Sequence, residues 1–323
     1  MPIPLPELEA DKPIPLPERD GLPASVHVID LDSIEALRAA LVTGRPLLVR
    51  GEPGTGKSQL ARAAAVVLGR VLVTHAVDAR TETRDLLWSV DAVARLAEAQ
   101  VMGALHQADH DEVRKRIDVM EFLQPGPLWW AFDWSSAVEQ AARSRASTPT
   151  IADGCSPERG VVVLIDEIDK ADPSVPNALL DALGHGRFDV QGRGPVVMKR
   201  DRRPLVVITT NEERALPDAF LRRCFVLQLG LPEERDALVD ALVNRGGPHF
   251  PRCSPKVLKE AAEQLATDRE AMLKRDLAAP GLAEYIDLVL AVTEQEAKEA
   301  KQLALLQRIA KFALRKHPSE QTR

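Results

Sequence analysis

The chain has 323 residues, of which 45% are hydrophobic, 28% charged and 4% aromatic, values typical of a soluble globular protein with about two domains. The formal net charge of −6 disfavours nucleic acid as the main partner, although a local basic channel in an oligomer remains an alternative. Three widely spaced cysteines exclude a disulfide framework and a cysteine metal site, and no apolar run is long enough to span a bilayer, so we expect a cytoplasmic protein without membrane insertion.

The beginning of the chain is rich in proline. PIPLPE occurs at residues 2–7 and again at residues 13–18, and prolines at alternate positions favour an extended, polyproline-II-like chain. This segment is interpreted either as a strap that docks across a neighbouring subunit or as a disordered tail, and its place at a terminus favours the tail. We therefore assign residues 1–24 to an N-terminal extension.

A βαβ unit is predicted after this extension. A helix begins at Asp32 and stops at Gly44, and the short apolar run at residues 46–50 predicts a strand. A second helix ends at Gly69, and residues 71–75 predict a second strand. Strand, loop, helix and strand in this order form a βαβ unit.

The loop between the first strand and its helix carries the first chemical motif. GEPGTGKS at residues 51–58 fits G-x-x-x-x-G-K-[ST]. Its glycines let backbone N–H groups converge on phosphate oxygens, and the following helix points its positive end at the same place. Lys57 is expected to bridge the β- and γ-phosphates, and the Ser58 hydroxyl to ligate Mg²⁺. The predicted nucleotide-binding residues of this phosphate loop are Gly51, Glu52, Pro53, Gly54, Thr55, Gly56, Lys57 and Ser58.

Two predictions concern the interval that follows. Thr81 is expected to cap a long helix that runs through Gln100 and buries Leu86, Leu87, Val90, Val93 and Leu96. Residues 103–157 are predicted to form an insert with helical parts. We interpret its aromatic cluster as a local mini-core rather than a binding surface. The cluster consists of Trp129, Trp130, Phe132 and Trp134.

Two adjacent carboxylates form the second motif. The apolar run at residues 161–165 predicts a strand buried on both faces, and Asp166 and Glu167 follow it directly. Carboxylates in this position need a function, because unpaired buried charge is costly. We expect Asp166 to hold Mg²⁺ through its water shell and Glu167 to polarise the water that attacks the γ-phosphorus. Asp169 and Asp172 are assigned to a turn and a helix start.

Three further strand signals follow the carboxylates. A glycine-punctuated hairpin is predicted at residues 186–198, and the apolar runs at residues 204–210 and 225–229 predict two more strands. Asn211 comes directly after the strand at residues 204–210. Because it follows the two phosphate motifs, we expect it to orient the lytic water or to contact the γ-phosphate.

Paired arginines precede the last predicted strand. Arg222 and Arg223 are either ordinary surface cations or a finger that reaches into the phosphate site of a neighbouring subunit. We favour the finger, with Arg223 ahead of Arg222. After residue 231 the chain becomes almost wholly helical, which indicates a domain boundary.

The motifs together resemble the AAA+ ATPases in order and spacing. They are GEPGTGKS, LIDEID, TTN and LPDAFLRRC. The chain is similar to the MoxR-type branch in particular, through LLVRGEPGTGKSQLARAAA, the Asp-Glu strand that leads to PSVPNALLDAL, and ITTNEERALPDAFLRRC. The resemblance covers roughly residues 30–230. The interval between Gly69 and Val161 leaves room for the helix-2 insert of that branch, and the hairpin matches its insert before sensor 1.

The predicted fold class is α/β. A P-loop NTPase parallel αβα sandwich is expected at residues 25–230, with inserts at about 103–157 and 186–199, followed by an α-helical lid at residues 231–323. The resemblance implies ATP with Mg²⁺, a ring that is commonly hexameric, and a chaperone-like role with a partner carrying a von Willebrand A domain.

The resemblance also implies roles for single residues. Lys57 and Ser58 are the Walker A residues, Asp166 and Glu167 the Walker B residues, Asn211 falls at sensor 1, and Arg223 falls at the arginine-finger position beside Arg222. The resemblance does not place a clear sensor 2 arginine. The nearest cations, Lys274 and Arg275, are interpreted as helix-surface residues.

Three functions are compatible with these motifs. The first is an ATPase that remodels or activates a protein partner, and the second is a nucleic-acid motor such as a loader, a helicase-like motor or a restriction-type subunit. The third is a nucleotide-gated scaffold with little or no turnover. For the second, the pore-lining cations would be Arg187, Arg193, Lys199, Arg200, Arg202 and Arg203. No Asn-Lys-x-Asp guanine motif occurs, so ATP is preferred over GTP.

Overall fold

The computed structural model describes residues 8–19, 21–104 and 110–314. These residues form two compact units. The sheet unit consists mainly of Asp32–Val49 and Ala61–Leu227. The loop-and-helix unit consists of Glu9–Leu31, Arg50–Leu60 and the described chain from Gln228 onward.

Strands and helices alternate through most of the chain. The strands are β1 (Pro13–Leu16), β2 (Ser25–Val28), β3 (Leu47–Arg50), β4 (Val71–Ala76), β5 (Trp88–Val90), β6 (Leu123–Pro125), β7 (Val161–Asp166), β8 (Arg187–Val190), β9 (Gly194–Val197), β10 (Leu205–Thr210) and β11 (Phe225–Gln228). The helices are α1 (Leu31–Thr43), α2 (Lys57–Leu68), α3 (Ala92–Ala104), α4 (His110–Arg116), α5 (Pro127–Phe132), α6 (Trp134–Ser144), α7 (Ser174–His185), α8 (Asp218–Leu221), α9 (Arg235–His249), α10 (Pro255–Leu273), α11 (Leu282–Gln295) and α12 (Glu299–Leu314).

The central sheet has the strand order β11-β3-β10-β7-β4. β7 pairs in parallel with β4 on one side and with β10 on the other, with Ile165 opposite both His75 and Ile208. Every residue of β10 is buried, and so is β7 up to its last residue, as expected for strands covered on both faces. The predicted parallel α/β class is confirmed, and so is the helical C-terminal region.

The aromatic cluster belongs to the main core of the sheet unit. Trp129 and Phe132 lie on α5, which packs against β7 and β4. Both side chains are buried, and their rings lie 6.5 and 5.7 Å from the ring of Phe188 in the β8–β9 hairpin. The prediction of a local mini-core is therefore wrong, because α5 lies directly on the sheet.

The predicted long helix from Thr81 to Gln100 is also wrong. Thr81 closes a turn instead, since its hydroxyl donates to the Asp78 carboxylate at 3.0 Å and accepts from the Asp78 N–H at 2.9 Å. Residues 88–90 are not helical either, because they form β5, which pairs with β6 in an antiparallel ladder.

The helix in this interval, α3, begins after Asp91. The Asp91 carboxylate accepts a hydrogen bond from the Ala94 N–H at 2.8 Å, which is the contact of an N-cap. Val93 is 80% exposed and Leu96 60% exposed. Helical spacing of apolar residues is therefore present in α3 without the burial that we expected from it.

The second PIPLPE copy forms a strand in its own chain. β1 pairs antiparallel with β2, Ile14 and Leu16 are buried, and the prolines between them are exposed. Proline is tolerated on such an edge strand because its missing N–H faces away from the ladder. The disordered-tail interpretation is wrong for this copy, whereas the first copy lies outside the described residues.

The four C-terminal helices, α9–α12, form their own hydrophobic core in the loop-and-helix unit. The Tyr285 ring of α11 is buried there, and its hydroxyl donates to the Leu258 carbonyl at 3.2 Å. A Cβ on Gly246 of α9 would lie 2.6 Å from that ring, so glycine lets α9 and α11 approach closely. β2 packs against α9, which joins the N-terminal hairpin to these helices.

Among the described residues, no helix combines the length and the apolar character needed to cross a membrane.

Candidate functional site

The phosphate loop has the backbone of an anion-binding loop. It connects β3 to α2, and Gly51, Gly54 and Gly56 have φ values of 146°, 76° and 94°, a region that side chains other than glycine rarely adopt. A Cβ on Gly51 would lie 2.0 Å from the Leu229 carbonyl oxygen, and one on Gly54 would lie 2.8 Å from the Ala283 Cβ. Glycine is required at both positions by conformation and by space.

Lys57 holds the loop together from inside. Its side chain is buried, and its ammonium group donates to the carbonyl oxygens of Gly51 at 2.7 Å and of Glu52 at 2.8 Å. The Thr55 hydroxyl also donates to the Glu52 carbonyl, at 2.9 Å. Lys57 and Ser58 are the first two residues of α2, so the positive end of the helix dipole lies at this loop.

An arginine from the C-terminal helices contacts the loop. The Arg269 guanidinium of α10 forms an ion pair with the Glu52 carboxylate, with an N–O distance of 2.8 Å. Sequence reasoning missed it, because nothing around Arg269 in the chain indicates a partner more than 200 residues away. The cations considered instead, Lys274 and Arg275, lie exposed beyond the end of α10.

His27 of β2 lies on the other flank of the loop. Its ring atoms Cε1 and Nδ1 lie 3.5 and 3.8 Å from the place of a Cβ on Gly56. Burial lowers the pKa of His27 to about 4; Arg245 and His249 lower it too, while Asp30 raises it. The imidazole is therefore neutral at physiological pH.

The carboxylate motif is held by a hydroxyl from the neighbouring strand. Thr209, near the end of β10, donates from its Oγ1 to the Asp166 Oδ1 at 2.5 Å. The same oxygen accepts from the Glu167 N–H at 2.9 Å. One side chain thus positions both acids, and it can do so because β10 and β7 are adjacent parallel strands whose carboxyl ends meet.

The Glu167 carboxylate is held from both sides. Asn211 Nδ2 donates to its Oε1 at 3.0 Å, and Lys170 Nζ donates to its Oε2 at 2.6 Å. The hydrogen bond to Glu167 raises the pKa of Lys170. Glu167 itself has a φ of 61° and a ψ of 49°, a left-handed conformation that costs on the order of 1–3 kcal/mol in a residue other than glycine and is common at active sites.

We call Asp166, Glu167, Lys170, Thr209 and Asn211 the carboxylate cluster. Sequence analysis identified three of its members and missed Lys170 and the role of Thr209. Lys170 follows Glu167 by three residues, a spacing that fits an ion pair and was the available signal. The cluster presents a fixed carboxylate that can accept a proton from water.

The two other acids near the cluster have structural contacts. Asp172 accepts from the Ser174 N–H at 2.9 Å at the beginning of α7, as predicted. Asp169 is almost fully buried and accepts from the Glu213 N–H at 2.9 Å. Asp169 therefore joins two loops through a buried hydrogen bond, in addition to its position in the turn that we expected.

The paired arginines lie on the surface of the sheet unit. Arg222 follows the short helix α8, and both side chains are exposed. Within the described part of the chain, neither guanidinium has an ion-pair partner. Both are therefore accessible to a group from another molecule.

Comparison with known proteins found one matching protein family. The AAA domain family, in its dynein-related subfamily, matches residues 46–224, more than half of the chain. The matched stretch contains the phosphate loop, the carboxylate cluster and the paired arginines, and it ends before α9. No match was found among curated proteins.

Proposed function

Because the chain belongs to the AAA domain family, in its dynein-related subfamily, we propose that it is an oligomeric, Mg²⁺-dependent ATPase of MoxR type that remodels or activates a partner protein. Nucleotide hydrolysis is the general activity of AAA+ proteins. The single observation that carries the proposal is the Glu167 carboxylate, which is held by Asn211 and Lys170 beside Asp166.

The residues present fit a bound nucleoside triphosphate with its metal ion. The glycines of the phosphate loop have positive φ values, and such a backbone lets N–H groups converge on phosphate oxygens. Ser58 and Asp166 supply hydroxyl and carboxylate oxygens, the donors that Mg²⁺ prefers, and they would hold the ion. The ion would neutralise charge on the phosphate oxygens.

In this proposal the carboxylate cluster does the proton chemistry. Glu167 accepts a proton from the attacking water, Asn211 orients the carboxylate and the water, and Lys170 keeps the acid in place. Thr209 fixes the position of Glu167 relative to Asp166 through its two hydrogen bonds. Lys57 stabilises the charge on the transferred phosphoryl group.

The paired arginines are the reason why we propose an oligomer as the active form. Arg223, with Arg222 beside it, would reach the nucleotide of the neighbouring subunit, which agrees with their exposure on their own subunit. Rate gains of about 10³–10⁵ are known for such arginines. A lone subunit is then a poor ATPase, and a ring, commonly a hexamer, is the active form.

A protein partner is preferred over nucleic acid for a reason of charge. Lys199 pairs with Asp133 at 2.8 Å, and Arg187 and Arg202 lie 3.6 Å from Asp189 and Asp201. These cations of the hairpin region are partly neutralised inside the chain. A chaperone-like role with a von Willebrand A-domain protein follows from the MoxR resemblance and is part of the proposal.

The proposal is tested by Glu167→Gln. The amide keeps the size of the side chain but accepts no proton, so ATP affinity is expected to remain within about threefold while turnover falls by about 10²-fold or more. Affinity is measured by titration with a fluorescent ATP analogue and turnover by phosphate release. Asp172→Asn is the matched control, since it changes a nearby acid that accepts a hydrogen bond from the Ser174 N–H, and it should leave turnover near the wild-type value.

Three outcomes contradict parts of the proposal. Near-normal turnover of Glu167→Gln would remove Glu167 from its role. ATP-dependent assembly of the wild-type chain without phosphate release would indicate a scaffold. Turnover that double-stranded DNA stimulates in a salt-dependent manner would indicate a nucleic-acid motor.

A further inference from the structure

Arg269 is a cation of the C-terminal helices with an unusual environment. It lies near the C-terminal end of α10 and is only 8% exposed. Its Nη2 donates to the Glu52 Oε1 at 3.0 Å and lies 2.8 Å from the Oε2, while its Nη1 donates to the Pro280 carbonyl at 3.0 Å. A buried guanidinium is stable only when its N–H groups and its charge have such partners.

The guanidinium joins three segments that are far apart in the chain. Glu52 belongs to the phosphate loop, Arg269 to α10, and Pro280 to the connection between α10 and α11. The same connection lies close to the loop, since a Cβ on Gly281 would be 3.6 Å from the Pro53 carbonyl oxygen. One N-terminal residue of α11, Ala283, limits the space at Gly54.

Glu52 connects Arg269 to Lys57, which faces phosphate in the proposed function. Its carboxylate binds Arg269, and its carbonyl oxygen accepts from the Lys57 ammonium at 2.8 Å. A change at Arg269 therefore reaches Lys57 through a single residue. The planar fork of arginine suits this place because it binds a carboxylate and a carbonyl at once, which the point charge of lysine does less well.

We infer that Arg269 is a positioning residue for the phosphate loop: through Glu52 it holds the loop in its nucleotide-binding conformation, so that the C-terminal helices set nucleotide affinity. The inference rests on the proposed nucleotide binding. It assigns a role to a side chain of the second C-terminal helix that does not itself contact phosphate.

The test is a double-mutant cycle on the full-length chain. Arg269→Met keeps the apolar stem and removes the fork, and Glu52→Ala removes the carboxylate. Dissociation constants for a fluorescent ATP analogue are measured in the Glu167→Gln background, where hydrolysis does not deplete the ligand. KM and kcat are measured in chains that keep Glu167.

Each single variant is expected to weaken binding about 10-fold or more, and the double variant to bind no more weakly than the single ones. KM should rise by a similar factor, while kcat at saturating ATP stays within about threefold. Arg269→Lys should restore part of the affinity. An effect on stability alone would move neither KM nor the affinity of the folded fraction.

The matched control is a neighbouring ion pair, which joins α9 to the residue that follows Arg269 on α10. Arg235 and Glu270 form an exposed ion pair at 2.9 Å, and Arg235→Met and Glu270→Ala should leave the dissociation constant within about twofold. Thermal unfolding of every variant monitors folding. If Arg269→Met does not fold, Glu52→Ala, which changes a half-exposed carboxylate, carries the test.

Wild-type affinity in Arg269→Met and Glu52→Ala, or fully additive losses in the double variant, would overturn the inference. Equal losses in the Arg235 and Glu270 variants would do the same. A wild-type chain that binds no ATP would instead contradict the proposed function itself, so the two failures are distinguishable.

Discussion

The phosphate loop and the carboxylate cluster are built in different ways. The cluster lies at the ends of two neighbouring strands, and Thr209 on β10 positions both Asp166 and Glu167 after β7. The loop belongs to another compact unit, and its shape depends on contacts with Leu229, Arg269 and Ala283 from the C-terminal part of the chain. The sheet thus arranges the acids, whereas the helical region supports the loop.

Because the two sites are built differently, we expect mutations in them to affect different quantities, turnover in one case and nucleotide affinity in the other. Changes in the carboxylate cluster should lower turnover with little effect on nucleotide affinity, because in the proposed function the cluster contacts the attacking water and not the bulk of the nucleotide. Changes in the phosphate loop and in its supports should lower affinity first.

Lys57→Ala is expected to have the largest effect. The variant removes the charge that faces the phosphates in the proposed function, and also the two hydrogen bonds that hold the loop at Gly51 and Glu52. Loss of a buried charged contact costs about 2–5 kcal/mol, so ATP affinity should fall by about 100-fold or more. Titration with a fluorescent ATP analogue measures it, with the exposed Lys259→Ala as control. Affinity close to that of the wild type would contradict the role of the loop.

Thr209→Val is expected to have the next largest effect, on turnover alone. Valine has the shape of threonine but makes neither hydrogen bond to the acids, and a hydrogen bond to a charged group contributes about 1.5–3 kcal/mol. Turnover should fall by about 10- to 100-fold at unchanged ATP affinity.

Thr210→Val is the matched control for Thr209→Val. Thr210 is the next residue of the same buried strand, and its hydroxyl accepts from the Glu212 N–H at 2.9 Å without touching Asp166 or Glu167. Its loss should affect stability but not turnover. Equal losses of turnover in both variants would show that strand packing, and not the positioning of the acids, determines the rate.

The smallest expected effect is on the stability of the loop-and-helix unit, which should depend on pH through His27. The pKa of His27 is lowered to about 4 in the folded chain from 6.5, so the unfolded chain binds the proton more strongly. The stability contribution of neutral His27 is complete above pH 6.5 and is lost as the pH falls toward 4. Between pH 7 and 5.5 the free energy of unfolding should fall by about 1 kcal/mol more in the wild type than in His27→Gln.

The chain offers a separate spectroscopic signal for each unit. All four tryptophans lie in the sheet unit, and the one tyrosine, Tyr285, is buried in the loop-and-helix unit. In urea unfolding, the pH difference between wild type and His27→Gln should be seen in tyrosine absorbance and be weaker in tryptophan fluorescence. Parallel pH profiles of the two proteins would remove His27 as the cause.

Sequence reasoning succeeded where a local pattern decides the structure. The strands β3, β4, β7 and β10 were predicted from short apolar runs, which suffices because strands buried on both faces need only continuous apolar sequence. It failed at residues 81–100, where helical spacing competed with the pairing of β5 with β6. It failed again at the aromatic cluster, because no pattern within α5 indicates which surface covers its rings.

The second PIPLPE copy shows the same limit. Its composition indicates an extended chain, and the chain is extended. However, Ile14 and Leu16 are buried and the neighbouring prolines exposed because the strand pairs with β2, which packs against α9. Whether an extended segment pairs depends on a partner elsewhere in the chain.

The sequence by itself determined the parallel sheet, the phosphate loop and the positions of Asp166, Glu167 and Asn211, because apolar runs, glycines and strand ends act over a few residues. Only the tertiary structure decided what holds these groups. Lys170 and Thr209 around Glu167, and Arg269 on Glu52, became visible through distances in space. The contact between Arg269 and Glu52 spans 217 residues, and such a contact depends on how whole helices pack, which no local pattern encodes.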